Sequence, residues 1–210
     1  MVDYAAPSPF RVEGALELLN RARSGDLYLH LPAVCLVEAQ PVLVRRYEPR
    51  ETADSVRQFL KWARLGNVMT ADEEDTVRTA LDRFENQVRN ERQLLASTLD
   101  ALRKAPNVET FGLSDAMLER TIVLSTQGLS LQPFDLSILA AVLVRSGELL
   151  EEGEGDLAFC ELDKDLQPWD RAGNSKQPLA DLYDSVQLWV YGDFAMQSPE
   201  RPMDWLPSQR

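Results

Sequence analysis

The sequence predicts an α/β fold: a mostly parallel central sheet flanked by helices, with a long helical arm added to it. Three observations predict it. Short apolar runs with β-like alternation are separated by helical segments, and strands that alternate with helices are typical of parallel sheets. One helical segment near the middle of the chain is much longer than the others. At 210 residues, the chain fits one domain with room for such an elaboration.

Helix and strand patterns alternate in the first 50 residues. The segment Phe10–Arg23 has apolar residues at helical spacing and is followed by a glycine, which is a helix-stop signal. The side chains of Leu27–Leu31 have the alternating pattern of a strand, and Gly25 and Pro32 bound the segment, so we predict a strand there. Pro32 then opens a helix that runs to about Tyr47, and we expect Pro41 to kink or interrupt it.

Residues 51–105 are predicted to form the helical arm, inserted within the domain. A helix over Glu51–Leu65 is followed by the longest helical segment, Ala71–Lys104, which Thr70 opens as an N-cap. Apolar residues recur along that segment at alternating spacings of four and three, which makes one apolar seam. We therefore expect this helix to pack in an antiparallel pair with its neighbour.

The second half of the chain returns to alternating helices and strands. The run from Leu136 to Val144 carries no charge, so the helix that contains it is expected to be the most buried one. The predicted elements are helix Ser114–Ser125, helix Asp135–Glu152, strand Leu157–Cys160, helix Pro178–Ser185 and strand Leu188–Tyr191. We expect the strands Leu27–Leu31 and Leu157–Cys160 to share one sheet.

The predicted domain covers residues 1–196, and residues 197–210, rich in proline, serine and glutamine, are predicted to form a flexible tail. No segment approaches the roughly 20 apolar residues that span a bilayer, and no signal-peptide pattern opens the chain. We therefore expect a cytoplasmic protein with no membrane partner.

The charge distribution limits the classes of function. The formal net charge of −12 argues against a protein that coats nucleic acid through bulk electrostatics. A nuclease stays open because charge varies along the chain. Residues 41–64 hold six basic and three acidic residues and could meet phosphates, whereas residues 145–170 hold nine acidic and two basic residues. Ordinary solvated faces explain both regions equally well.

Several enzyme classes lack their required residues here. His30 is the only histidine and no nucleophile elbow accompanies it, so we interpret it as structural. Cys35 and Cys160 are far apart in apolar surroundings, which predicts reduced thiols and no zinc site. There is no glycine-rich phosphate loop of the Walker or Rossmann type.

Carboxylates at the ends of predicted elements form the candidate site. Glu38 interrupts an apolar stretch after the first strand, and Asp135 lies at the start of the most apolar helix. Asp163 follows the second strand, with Asp165 two residues further on. In a parallel sheet, functional groups collect at the edge where the strands end. Hard cations bind carboxylates there and offset the repulsion between their negative charges. The ordered set therefore predicts a divalent-metal site.

Each of these acids has another interpretation when it is considered alone. Asp135 could be a helix N-cap, since aspartate is favoured there and a proline precedes it. Glu38 could face solvent, and Asp163 could be a turn residue.

The segments around these acids resemble the three downstream motifs of PIN domains, a family that includes the VapC-like ribonucleases of bacterial toxin–antitoxin systems. The segments are Leu27–Glu38, Leu131–Ala141 and Phe159–Leu166. The family pattern is a strand and proline leading to a glutamate, then an aspartate opening a buried helix, then one or two acids after a strand.

The resemblance implies a three-layer fold and a Mg²⁺- or Mn²⁺-dependent endoribonuclease that hydrolyses RNA phosphodiester bonds. Glu38, Asp135 and Asp163 would be its catalytic metal ligands, and Asp165 would be an outer acid of the metal site. Expected partners are RNA, an antitoxin or other protein, and a second copy of the chain in a homodimer.

The chain departs from the family pattern at its start. PIN domains open with a buried strand that ends in their first aspartate, whereas here Phe10 onward already matches the helix after that strand. Asp3 is a candidate for this acid, but only Met1 and Val2 precede it. Two hypotheses remain. Either the first motif lies upstream and the chain is a ribonuclease, or the chain is a catalytically degenerate module that binds RNA or a protein.

Overall fold

The computed structural model describes residues 5–7 and 10–196. The predicted tail, 197–210, and Asp3 lie outside these residues. The described chain divides into two compact units. The arm unit comprises Leu36–Ala105 with the described residues up to Val12, and the sheet unit comprises Glu13–Cys35 with the described residues from Pro106 onward.

The chain is α/β, as predicted. The described elements are, in chain order, α1 (Glu13–Ser24), β1 (Leu29–Pro32), α2 (Ala33–Arg46), α3 (Pro49–Leu65), α4 (Ala71–Gln93), α5 (Leu95–Arg103), β2 (Val108–Phe111), α6 (Asp115–Ser125), α7 (Pro133–Glu151), β3 (Ala158–Cys160), α8 (Leu179–Ser185) and β4 (Trp189–Tyr191). None of the described helices combines the length and apolar character needed to cross a membrane.

The four strands form two parallel pairs in the sheet unit. β1 pairs with β2, and β3 pairs with β4. Over the residues that the structure describes, these pairs are separate two-stranded sheets. The expectation that Leu27–Leu31 and Leu157–Cys160 share one sheet is therefore not met. Strands of three or four residues offer few ladder hydrogen bonds, and no described strand joins the two pairs.

Sequence patterning did not predict β2. Its four residues are too short a run for alternation to be told from a loop. Long-range contacts decide its conformation: the register pairs Leu29 with Val108, and the Leu29 N–H donates to the Asn107 carbonyl at 2.9 Å. The Asn107 side chain also donates to the Ala22 carbonyl at 2.9 Å, which ties the start of β2 to α1.

The core of the sheet unit is built around α7. Seven of its side chains are buried, in agreement with the charge-free run in the sequence. α7 packs against α6 and contacts β1, while α8 contacts β4. Tyr183 of α8 is fully buried in the same core, and its hydroxyl donates to the Leu166 carbonyl at 2.9 Å. This core supports both the start of α7 and the loop after β3.

The arm unit contains the predicted antiparallel helix pair. Arg57 of α3 contacts Glu85 of α4 at 2.7 Å, and Arg64 contacts Glu74 at 3.9 Å. Residue numbers thus rise along α3 as they fall along α4, which confirms the antiparallel direction. Thr70 is the N-cap, as predicted: its side chain accepts the N–H of the third helical residue of α4 in a capping box.

The predicted single helix Ala71–Lys104 is wrong in one respect, because it is interrupted at Leu94. α4 ends there and α5 begins at Leu95. The interruption leaves Leu94 exposed while Leu95 is buried beside Leu43 of α2. Pro41, by contrast, lies inside α2 without ending it.

Candidate functional site

Asp135 is held at the start of α7. Pro133 occupies the first turn, where its fixed φ suits a helix, and Gln132 is the N-cap. The interpretation of Asp135 as the N-cap is therefore wrong: it is the third helical residue. Its carboxylate is hydrogen-bonded to the Gln132 backbone, which lowers its pKa. Partial burial raises the pKa of Asp135, and the charges of Asp163 and Asp165 raise it further. Together these effects exceed the lowering by the hydrogen bond, so the net shift is upward.

The loop after β3 presents Asp163 and Asp165 on a tight turn. The Asp163 carboxylate accepts the N–H of Asp165 at 2.9 Å, and the Asp163 carbonyl accepts the N–H of Leu166 at 3.2 Å. Leu166 is buried, so it anchors a turn whose two acids are exposed. Asp163 is thus a turn residue. That role is compatible with ligand binding because a carboxylate has two oxygens.

Glu161 also belongs to this cluster, although no sequence motif distinguishes it from the acids around it. Its Oε1 accepts the Asp163 N–H at 2.7 Å, and its backbone carbonyl accepts the Nε2–H of the buried Gln167 at 2.9 Å. Burial, assisted by the charge of Asp163, raises the pKa of Glu161 to about 7 against the opposing backbone hydrogen bonds. The sequence signal that could have identified Glu161 is its position directly after the apolar residues of β3.

Lys176 adds a positive charge beside the acids. Its Nζ donates to the carbonyls of Lys164 at 2.8 Å and Asp165 at 3.3 Å. Burial lowers the pKa of Lys176, while the nearby charges of Asp165 and Asp163 act in the opposite direction. Lys176 therefore holds the acidic loop in place, although it lies 11 positions after Asp165 in the sequence. No spacing rule in the sequence connects these positions.

Glu38 lies on α2, and its side chain is exposed. It belongs to the arm unit, whereas Asp135, Asp163 and Asp165 belong to the sheet unit. The structure thus brings the three aspartates within electrostatic range of one another and assigns Glu38 to the other compact unit. The interpretation of Glu38 as a solvent-facing acid agrees with its exposure.

The acids suit a hard cation in chemistry and charge. Carboxylate oxygens are the ligands that Mg²⁺ and Mn²⁺ prefer. The pKa of Asp135 is raised first by partial burial and then by the charges of Asp163 and Asp165, and a bound cation would favour the ionised carboxylate against both effects. Across residues 5–7 and 10–196, however, no group of three or more His, Cys, Asp or Glu side chains is arranged to hold a metal ion.

His30 takes part in a separate polar network. Its Nδ1 lies 2.7 Å from the Glu109 carboxylate on the neighbouring strand, and Arg145 of α7 donates to the same oxygen at 3.1 Å. The ring also contacts the ring of Tyr28, with centroids 4.9 Å apart. Burial opposes ionisation of Glu109, but His30 and Arg145 together lower its pKa. This network ties β1, β2 and α7 together, which supports the structural interpretation of His30.

The cysteines differ from reactive thiols. Burial raises the pKa of Cys160 to about 11, so its thiol is protonated at neutral pH. Cys35 is half-buried at the start of α2.

Comparison of the chain with protein-family models, curated proteins and solved structures gives no match. The resemblance to PIN domains therefore remains an expectation from the three motif segments of the sequence.

Proposed function

We propose that the chain is a Mg²⁺- or Mn²⁺-dependent endoribonuclease of PIN-domain type, and that it acts as the toxin of a toxin–antitoxin pair. The observation that carries the proposal is the electrostatic coupling of Asp135 to Asp163 and Asp165. These acids come from two elements well separated in sequence, the start of α7 and the loop after β3. A cluster of like charges at such a position is costly without a cation.

The proposal includes the finer fold. We propose a three-layer PIN-like arrangement in which the two separate parallel strand pairs together form the middle layer between helices. In support, both pairs are parallel and lie in the sheet unit, and α7 contacts β1. In such a layer the acids would collect near the carboxyl ends of the strands, where ligands bind in open α/β folds.

In this proposal the aspartates bind the cation. Asp135 and Asp163 would be its protein ligands, and Asp165 would orient them from outside. When bound, the ion supplies Lewis-acid polarisation and stabilises negative charge on a phosphodiester under attack. Glu161, with a pKa of about 7, can hold or release a proton at neutral pH beside Asp163. Lys176 keeps the acidic loop in place.

The test uses the melting temperature and RNA cleavage together. A ligand bound by the folded state stabilises it, so millimolar Mn²⁺ or Mg²⁺ should raise the melting temperature of the wild type. The raised pKa of Asp135 means that its ionised form destabilises the fold at neutral pH. Asp135→Asn should therefore melt at the same or a higher temperature in metal-free buffer. It should lose the metal-dependent gain and the cleavage of a fluorescently labelled mixed-sequence RNA.

Asp115→Asn is the matched control. Asp115 is an exposed acid in the first turn of α6, so this variant should keep both the metal response and any cleavage. Two results together would reject the metal site and the nuclease with it: a wild type without a metal-dependent shift, and strong destabilisation of metal-free Asp135→Asn.

A degenerate PIN-like module that binds RNA or a protein partner is the second candidate. It is favoured by the lack, within the described residues, of an acid group already arranged to hold a metal. It predicts that fluorescence anisotropy detects RNA binding in EDTA, with an affinity that Asp135→Asn leaves unchanged and without cleavage when Mn²⁺ is added.

A further inference from the structure

α3 carries an exposed apolar strip opposite the face that packs in the arm. Its buried residues Ala53, Leu60 and Ala63 occupy one side of the helix. Phe59, Trp62, Leu65 and, just beyond the helix, Val68 are between 56% and 77% exposed. The rings of Phe59 and Trp62 lie 6.1 Å apart, so they form one continuous surface. Exposed patches of this kind mark interaction sites more often than single apolar residues do.

The strip holds no charged residue between Ser55 and Leu65, and Glu51, one turn earlier, is the first acid on the same line. At 100° per residue, Ser55 and Gln58 continue the line of Phe59, Trp62 and Leu65 toward the start of α3, and all five are exposed. Large side chains therefore occupy the end near the hairpin turn, and smaller uncharged ones occupy the other end. A second helix can lie along such a strip without burying an ionised group.

The charges beyond the two ends of the strip have opposite sign. The last turn of α2, which precedes α3, carries Arg45 and Arg46, and residues 45–51 together hold three basic and two acidic residues. The first turn of α4, which follows α3, carries Asp72, Glu73 and Glu74. RNA would be repelled by the acidic end. A second copy of the chain, related by a two-fold axis across the strip, places each acidic end toward the basic end of its partner.

We propose that two copies of this chain associate through the exposed strip of α3, with the two α3 helices antiparallel. An aromatic side chain carries about 150–250 Å² of surface, so the two rings of each copy offer on the order of 200–300 Å² to the interface. With the aliphatic residues and flanks of both copies, the buried surface reaches roughly the 1,000 Å² at which specific interfaces begin. An interface of this size forms a dimer that dissociates on dilution.

Sedimentation velocity of the full chain tests the proposal. The wild type should shift from monomer to dimer as its concentration rises from about 1 to 100 µM, and added salt should weaken the dimer because it screens the end charges. Trp62→Glu should remain monomeric. Ile122→Glu, at an exposed apolar position of α6, is the matched control and should dimerise like the wild type. A wild type that stays monomeric at 100 µM, or a dimer unaffected by Trp62→Glu, overturns the proposal.

A charge-exchange experiment tests the antiparallel direction without altering the apolar strip. Arg45→Glu with Arg46→Glu makes both ends of one chain acidic. Asp72→Arg, Asp75→Arg and Thr76→Arg together change the charge of residues 72–76 in another chain from −4 to +1, which makes both of its ends basic. Each substituted chain alone should be mainly monomeric, and their mixture should form a heterodimer. A dimer by either chain alone at the wild-type concentration, or no heterodimer in the mixture, overturns the arrangement. This result does not depend on metal binding or RNA cleavage.

Discussion

At the residue scale, the Glu161 carboxyl shows how strongly its surroundings change an ordinary acid. It lies directly after β3 and next to the charge of Asp163. Burial disfavours its ionised form more than the hydrogen bond from the Asp163 N–H favours it. Glu161 therefore titrates near pH 7, where a proposed hydrolytic site would operate.

We expect Glu161 to make the folded state less stable as the pH rises. A carboxyl group whose pKa is raised by folding keeps its full stabilising contribution below its unfolded value of 4.5 and loses it as the pH passes about 7. The gap between these values corresponds to roughly 3 kcal/mol of unfolding free energy. Glu161→Gln cannot ionise and keeps an acceptor for the Asp163 N–H. In urea denaturation it should exceed the wild type at pH 8 by up to that amount and match it near pH 4.

The control for this prediction is Glu154→Gln, at an exposed acid of the loop before β3. Its stability should follow that of the wild type at both pH values. If Glu161→Gln shows the same pH dependence as the wild type, Glu161 does not titrate in this range.

At the element scale, the α3–α4 hairpin is joined by a polar contact inside a small core. Glu85 is buried, and Arg57 donates to both of its carboxylate oxygens at 3.2 and 2.7 Å. Arg57 also reaches Asp82 at 3.1 Å. Glu85 and then Asp82 raise the pKa of the Arg57 guanidinium. Arg89 also donates to Glu85, at 3.4 Å, so Arg57 supplies the closer and bidentate contact of this buried carboxylate.

Arg57→Ala should lower the melting temperature by several degrees, because it leaves the Glu85 carboxylate buried without its bidentate donor. Thermal unfolding followed by circular dichroism measures the change. Arg57→Met combined with Glu85→Leu should recover most of the loss, since apolar residues of similar size replace the ion pair without a buried charge.

Arg83→Ala, at an exposed arginine of α4, controls for loss of positive charge alone and should melt like the wild type. Equal destabilisation by Arg83→Ala and Arg57→Ala would show that net charge, not the contact with Glu85, sets the stability of the hairpin.

At the scale of the whole molecule, the two compact units have cores of different size. The sheet unit has a cluster of thirteen buried apolar residues that includes Leu139 and Tyr183. The corresponding cluster of the arm unit contains Ala6, Ala39, Leu43 and Leu95. Since unfolding free energy grows with buried apolar surface, the arm unit should open more readily.

Hydrogen exchange should reveal this difference. Amides of α7 should exchange last, and those of α2 and α5 should exchange earlier. Leu43→Ala removes a fully buried side chain, at a cost of about 2–5 kcal/mol, and should accelerate exchange in α2 and α5 while α7 keeps its protection. Leu139→Ala should accelerate exchange in α7. If Leu43→Ala accelerates α7 as much as α5, the two units unfold together.

Local patterns predicted much of the secondary structure of this chain. The charge-free run of α7, the Thr70 capping box and the apolar seam of α4 act between near neighbours, so they can be seen in the sequence. The interruption at Leu94 could not be predicted, because it depends on which neighbouring leucine is buried against α2. β2 also escaped prediction, since a strand of four residues exists only through its pairing with β1.

The sequence by itself determined the α/β class and the antiparallel arm. It also identified Asp135, Asp163 and Asp165 as candidate metal ligands. Only the tertiary structure decided that the charges of Asp163 and Asp165 act on Asp135 and that Glu161 and Lys176 contact the same acidic loop. It also decided that the strands form two separate pairs over the described residues. The physical reason is range: capping and amphipathic patterns act over one or two turns, whereas burial and charge coupling depend on residues that folding brings together.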